Sequence, residues 1–116
     1  WDGLSAVPNI NVYSSAPALN TALTAGDYHS FGSTAFATAM TYAGFATTGY
    51  NNFIFNSNGI AAINKTGVSK FGLRNSNYDI VATSPTWAQQ QQSFFKGYFS
   101  EQGDGYQPKL VVTYTP

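Results

Sequence analysis

One histidine, His29, and five carboxyl side chains, Asp2, Asp27, Asp79, Glu101 and Asp104, make up the chain's side-chain groups suited to acid–base work near neutral pH. A hydrolytic triad needs a nucleophile, a base and a group that orients the base. No Gly-x-Ser-x-Gly turn is present to present a serine, so His29 reads as a loop residue. Glycoside hydrolysis needs two carboxyls facing each other across the scissile bond, and nothing in the spacing of these five predicts such a pair. A zinc centre takes roughly three or four His, Cys or carboxylate ligands, and this chain has one His and no Cys. No catalytic residue and no cofactor is expected, and the chain does not read as an enzyme.

Calcium takes about six to eight oxygens. Asp27, Asp79 and Asp104, with Glu101 and loop carbonyls, are weak candidates to supply them, and no D-x-D-x-D-G pattern joins them. The simpler reading pairs Asp79 with Arg74 and lets Asp104 turn the chain between Gly103 and Gly105. Sugar recognition uses aromatic faces stacked on pyranose rings, with amides and hydroxyls reading the ring substituents. Trp87, in Ser84-Pro85-Thr86-Trp87 ahead of the run Gln89–Gln92, is the foremost platform candidate. Its alternative is a lid folded over a sheet edge. Tyr50 and Tyr106, with Trp1 and Tyr98 behind them, are weaker candidates of the same kind. Asn64-Lys65-Thr66 is the only N-glycosylation sequon, with Asn64 as its acceptor. A Lys–Asn isopeptide bond, known in some surface adhesins, has no matching motif here.

The elements that must carry these residues are read from composition and period. Charged residues are 9% of the 116, balanced five basic against five acidic, far below the usual quarter. The polar surface is therefore built from Asn, Thr, Ser and Gln. Such a surface suits uncharged polar ligands or other proteins. It argues against nucleic acid, whose binding draws on Lys and Arg. Aromatics reach 16% and favour pleated strands. The longest mainly apolar stretch, 36–45, is too short and too rich in Thr and Gly to span a bilayer.

Alternation of apolar and polar residues predicts strands over Asn9–Ser14, Ala35–Tyr42, Tyr50–Asn56, Val68–Arg74 (with Phe71 and Leu73 inward), Phe94–Ser100 and Lys109–Thr115. Residues 18–34 read as a long loop holding a turn or short helical turn at 25–28. The period changes over 57–65, where Ile60 and Ile63 lie three apart and Asn56, Ser57 and Asn58 offer caps, so a short helix ended by Gly67 is expected. About six short strands with Gly- and Asn-rich loops point to an all-β antiparallel sandwich, jelly-roll-like, in one domain over 1–116.

Three segments, taken in order, carry a resemblance. They are Tyr50-Asn51-Asn52-Phe53-Ile54-Phe55-Asn56-Ser57-Asn58-Gly59-Ile60-Ala61-Ala62-Ile63-Asn64-Lys65-Thr66-Gly67, then the overlapping Thr66-Gly67-Val68-Ser69-Lys70-Phe71-Gly72-Leu73-Arg74 with Tyr78-Asp79 following, then Phe99-Ser100-Glu101-Gln102 leading into Pro108-Lys109-Leu110-Val111-Val112-Thr113-Tyr114. Together they resemble the C-terminal part of the DNRLRE-like, carbohydrate-binding-module-like jelly rolls of bacterial, archaeal and phage surface proteins. The resemblance implies a non-catalytic extracellular, cell-surface or virion role and offers no ligand residues to carry over. The family's unit begins with further strands that residues 1–8 do not supply. The abrupt opening at Trp1 and the strand-like close at Pro116 likewise predict a piece of something longer.

Two functions follow as expectations. One is a structural subunit or module of a surface filament or appendage, partnered with itself or a sibling surface protein through sheet edges and completed by strand complementation. The other is a carbohydrate-binding or adhesion module.

Overall fold

The computed structural model describes residues 7–86, 89, 94–98 and 102–115. Ile10 and Val12 are β-branched and favour extended backbone, and Ile10–Ser14 forms strand β1. Its antiparallel partner is β2, Phe71–Asn75, with Val12 opposite Leu73 and Tyr13 opposite Gly72. Beyond the two ends, Ser15 N donates to Lys70 O at 3.2 Å and Ser76 N to Asn9 O at 2.8 Å. The odd-numbered residues of β1 thus direct their backbone groups at β2, and the even-numbered ones direct theirs the other way.

Those even-numbered groups meet residues 31–40. Gly32 N donates to Ser14 O (3.0 Å) and Phe36 N to Val12 O (2.9 Å), while Ile10 and Met40 exchange two bonds of 3.0 and 2.8 Å. Every fourth residue of this segment meets every second residue of β1, so the segment bows outward between contacts. On its far side Asn56 N donates to Phe36 O at 2.8 Å, and Ala37 bridges to Phe55.

β1 is therefore a middle strand covered on both faces. Ile10, Asn11, Val12 and Tyr13 are all buried, although their sequence alternates. On one face Phe36, Phe55 and Phe71 cluster with centroids 5.2–6.1 Å apart, Phe71 meeting both others edge to face. Helix α1, Ser57–Ala61, lies over Phe36 and Phe55. Its buried Gly59 permits that approach, since a Cβ there would stand 2.7 Å from Phe36 O and 2.8 Å from Phe55 Cγ. On the other face Tyr13 lies opposite Gly72, and the Phe31 ring occupies the space a side chain at Gly72 would need.

The chain is thus β-containing and largely non-helical, with one two-stranded antiparallel sheet and isolated bridges. Several expectations need correction. α1 ends at Ala61 rather than 65: Ala62 N donates back to Asn58 O, and the next turn belongs to the Asn64 side chain. β2 starts at Phe71, because residues up to Ser69 are drawn into that turn through the bond from Asn64 N to Ser69 Oγ. Leu73, expected to face inward, is 57% exposed at the outer strand of the sheet. Residues 35–42 and 50–56 make single bridges instead of ladders. Residues 109–115 form no strand, and neither do 94–98 of the expected 94–100 strand; Phe99 and Ser100 lie outside the described residues. Among the described residues no second sheet faces the first.

Candidate functional site

The carboxylates are accounted for one by one. Asp27 sits in the 3-10 helix Ala25–Ser30 and holds its own loop together. Its Oδ2 accepts from Thr24 N (2.7 Å) and Thr24 Oγ1 (3.1 Å), and its Oδ1 accepts from Ala18 N (3.1 Å). These backbone bonds from Thr24 and Ala18 hold its carboxyl below the ordinary aspartate value. Ser30 Oγ donates to Asp27 O at 2.6 Å, which fixes the end of the turn.

Asp79 follows β2 in a turn set by Asn75, whose Oδ1 accepts from Asn77 N (3.1 Å) and Tyr78 N (3.0 Å). Arg74 reaches Asp79 with two parallel bonds, Nε to Oδ2 at 2.7 Å and Nη2 to Oδ1 at 2.9 Å. The pairing expected from sequence is present. Tyr28 Oη donates to the same Oδ1 at 2.7 Å, and Arg74 Nη1 donates to Gly32 O at 3.0 Å. The guanidinium also stands over two neighbouring rings, 5.9 Å from Tyr28 and 5.7 Å from Phe31. The Arg74 bonds hold the Asp79 carboxyl below its ordinary value, and the Asp79 bond raises the Tyr28 phenol. This clasp joins the 28–32 loop to β2 and its following turn. It lies on the Tyr13 face of the sheet, and burial pushes the Tyr13 phenol up.

Both aspartates are engaged by groups of the chain itself. Asp104 lies apart, in a turn where Gly103 (φ 93°) and Gly105 (φ 90°) adopt left-handed backbone. Among the described residues no three His, Asp or Glu side chains gather, so Asp27, Asp79 and Asp104 are not brought together as a calcium site. Asp2 and Glu101 lie outside the described residues. His29 packs edge to face with Tyr28, centroids 5.8 Å apart. A shallow open cleft of about 420 Å3 runs beside the clasp from Asn75 to Pro85.

The aromatic candidates fare differently. Asn51 closes the loop before Tyr50 with two bonds to Ala46 of 2.8 and 2.9 Å. Tyr50 Oη donates to Gln107 O at 3.2 Å, and Lys109 Nζ stands 4.2 Å from the Tyr50 ring centre. Tyr50, Gly105, Gln107, Pro108 and Lys109 line a cleft of about 270 Å3. Tyr106, beside that lining in sequence, packs edge-on against Tyr98 at 5.0 Å, and all three tyrosines are exposed. Tyr50 and the segment that carries Tyr106 thus come from distant parts of the sequence to one cleft. Lys109 covers a face of Tyr50 and is a lining residue that sequence reasoning missed; Pro108, next to Lys109, was the one local cue. Trp87 and Trp1 lie outside the described residues. Asn64 is exposed, with its Oδ1 accepting from Thr66 N at 3.0 Å and Thr66 Oγ1 at 3.4 Å, so the sequon is accessible.

A third feature is a surface. Residues 109–115 carry the alternation Leu110, Val112, Tyr114, yet Val111 is 82% exposed and Tyr114 80% exposed. Among the described residues, no backbone hydrogen bond joins 109–115 to another segment. No helix of the described residues is long and apolar enough to cross a membrane. Comparison with protein families, with curated proteins and with solved structures finds no significant match.

Proposed function

We propose that this chain is a non-catalytic structural module of an extracellular filament or of a cell-surface or virion appendage, and that it assembles through its sheet edges. In this reading its β-segments belong to an antiparallel, jelly-roll-like sandwich similar to the C-terminal part of DNRLRE-like domains, completed by strands from another chain or segment. The observation that carries it is uncovered surface. The chain exposes 8944 Å2, where a folded monomer of 12.5 kDa exposes about 6200 Å2. The excess is roughly three times the ~800 Å2 that each partner gives to an ordinary interface. It is rich in large apolar side chains, among them Ile54, Val111 and Tyr114, and the zero net charge removes the repulsion that keeps like subunits apart. Negative-stain electron microscopy of the purified chain is the test: fibres or ordered oligomers support assembly, and dispersed particles at every concentration count against it.

A carbohydrate-binding or adhesion module is the second reading, favoured by the cleft at Tyr50 with its neighbouring tyrosines. Retention on a broad glycan array that is lost in Tyr50→Ala and in Trp87→Ala, with the fold intact by circular dichroism, would select it.

A further inference from the structure

The ladder of β1 and β2 leaves one row of backbone groups on the outer side of β2. Residues 70, 72, 74 and 76 of that strand and its flanks face β1, as the bonds at Lys70 and Ser76 show. The N–H and C=O groups of Phe71 and Leu73 therefore point away from β1. Among the described residues no hydrogen bond reaches them, whereas Asn75 O is taken by Ile80 N at 3.2 Å. An open row of this kind is a template for another strand. The Leu73 side chain beside it is 57% exposed and offers an apolar contact.

Elsewhere the same chain carries a strand-forming stretch that no backbone hydrogen bond joins to another segment among the described residues. Residues 110–114 read Leu-Val-Val-Thr-Tyr, residue types that favour pleated backbone. Leu110, Val112 and Tyr114, which would share one face of a strand, are 50%, 50% and 80% exposed. Residues 110–114 are uncharged, as are Phe71, Gly72 and Leu73 at the edge.

Resting on the assembly reading above, we infer that residues 110–114 of one copy add to the β2 edge of a second copy, beside Phe71 and Leu73. The occupant is a second copy because, among the described residues, each chain holds both a donor stretch and an acceptor edge that no backbone hydrogen bond takes up. The excess surface is also larger than one interface requires. The contact is head to tail: donor and acceptor are different surfaces, so each bound copy still offers a free edge. Such contacts close into rings or run on as filaments.

The test uses the full-length chain. Val112→Pro removes a ladder donor and bars strand pairing from an exposed position. Leu73→Lys charges the acceptor edge, the device that natural sheets use to keep edges single. Sedimentation velocity from about 1 to 100 μM, the span over which micromolar contacts fill, reads the outcome, with circular dichroism checking each fold. The wild-type chain is expected to grow in size with concentration, and each variant alone to stay monomeric. Mixed, the two variants should form a heterodimer and stop there, since Leu73→Lys still donates and Val112→Pro still accepts. Wild-type assembly that persists in both variants would overturn this strand exchange while leaving assembly itself standing. A wild-type chain that is monomeric throughout would overturn both.

Discussion

The buried side chain of Asn11 donates from Nδ2 to the backbone carbonyl of Ala37 at 2.7 Å, across the gap where residues 31–40 bow away from β1. Its Oδ1 accepts from Val12 N at 2.8 Å, a backbone group that faces the same gap. One amide thus satisfies both the Val12 N–H and the Ala37 carbonyl across that gap. An unpaired buried polar group costs about 1–3 kcal/mol, so the irregular segment depends on this residue.

Replacing Asn11 with Leu should destabilise the chain by about 3 kcal/mol, since it strands both the Val12 N–H and the Ala37 carbonyl. Asn11→Asp keeps the acceptor but sets a carboxylate against the Ala37 carbonyl, and should lose stability that is partly recovered as the carboxyl protonates at low pH. Urea unfolding followed by tyrosine fluorescence reads both. Unchanged midpoints would show that the gap is bridged in some other way.

Gly59→Ala gains about 1 kcal/mol of helix propensity. It also drives a methyl into the backbone oxygen of Phe36 and the ring of Phe55, and overpacking of that kind costs about 1–3 kcal/mol. The net should be a loss, with Gly59→Val losing more. A stabilised Gly59→Ala would mean that α1 does not seat on the phenylalanine cluster.

The clasp makes stability fall at both ends of the pH scale. Arg74 holds the Asp79 carboxyl below its ordinary value, so its contribution is present above the ordinary aspartate range and is lost as pH falls through the folded value. Burial raises the Tyr13 phenol, so its contribution is present below the ordinary tyrosine value and is lost as pH rises through the folded one. Asp79→Asn should flatten the acid limb of the stability curve, and Tyr13→Phe the alkaline limb. If Asp79→Asn leaves the acid limb unchanged, the pair with Arg74 does not govern it.

The parts of this fold that the sequence made legible are local. The alternation around Val12 marked β1, the amides at 56–58 marked the start of α1, and indeed Asn56 Oδ1 accepts from Asn58 N and Gly59 N. Arg74 and Asp79 lie five residues apart around one turn, so their pairing was readable too. Tyr28, Phe31 and Gly32 complete the clasp from more than forty residues away, and no periodicity reports such a meeting. Alternation also overstates strand content. It marks which residues suit a pleated surface, and says nothing of whether a neighbour is present to pair with them. Leu110 to Tyr114 have the pattern without a pairing neighbour among the described residues. The burial of both Val12 and Tyr13 shows the opposite limit, because a middle strand covered on each side no longer alternates in exposure.

The claim on which this account rests is that residues 110–114 form a strand only when another copy covers them. Hydrogen–deuterium exchange of their amides, followed as the chain is diluted, addresses it directly. The account predicts slow exchange at high concentration and near-free exchange once the chain is dispersed, with the Phe71 and Leu73 amides changing in parallel. Fast exchange of these amides at every concentration, or protection that dilution does not alter, would contradict it.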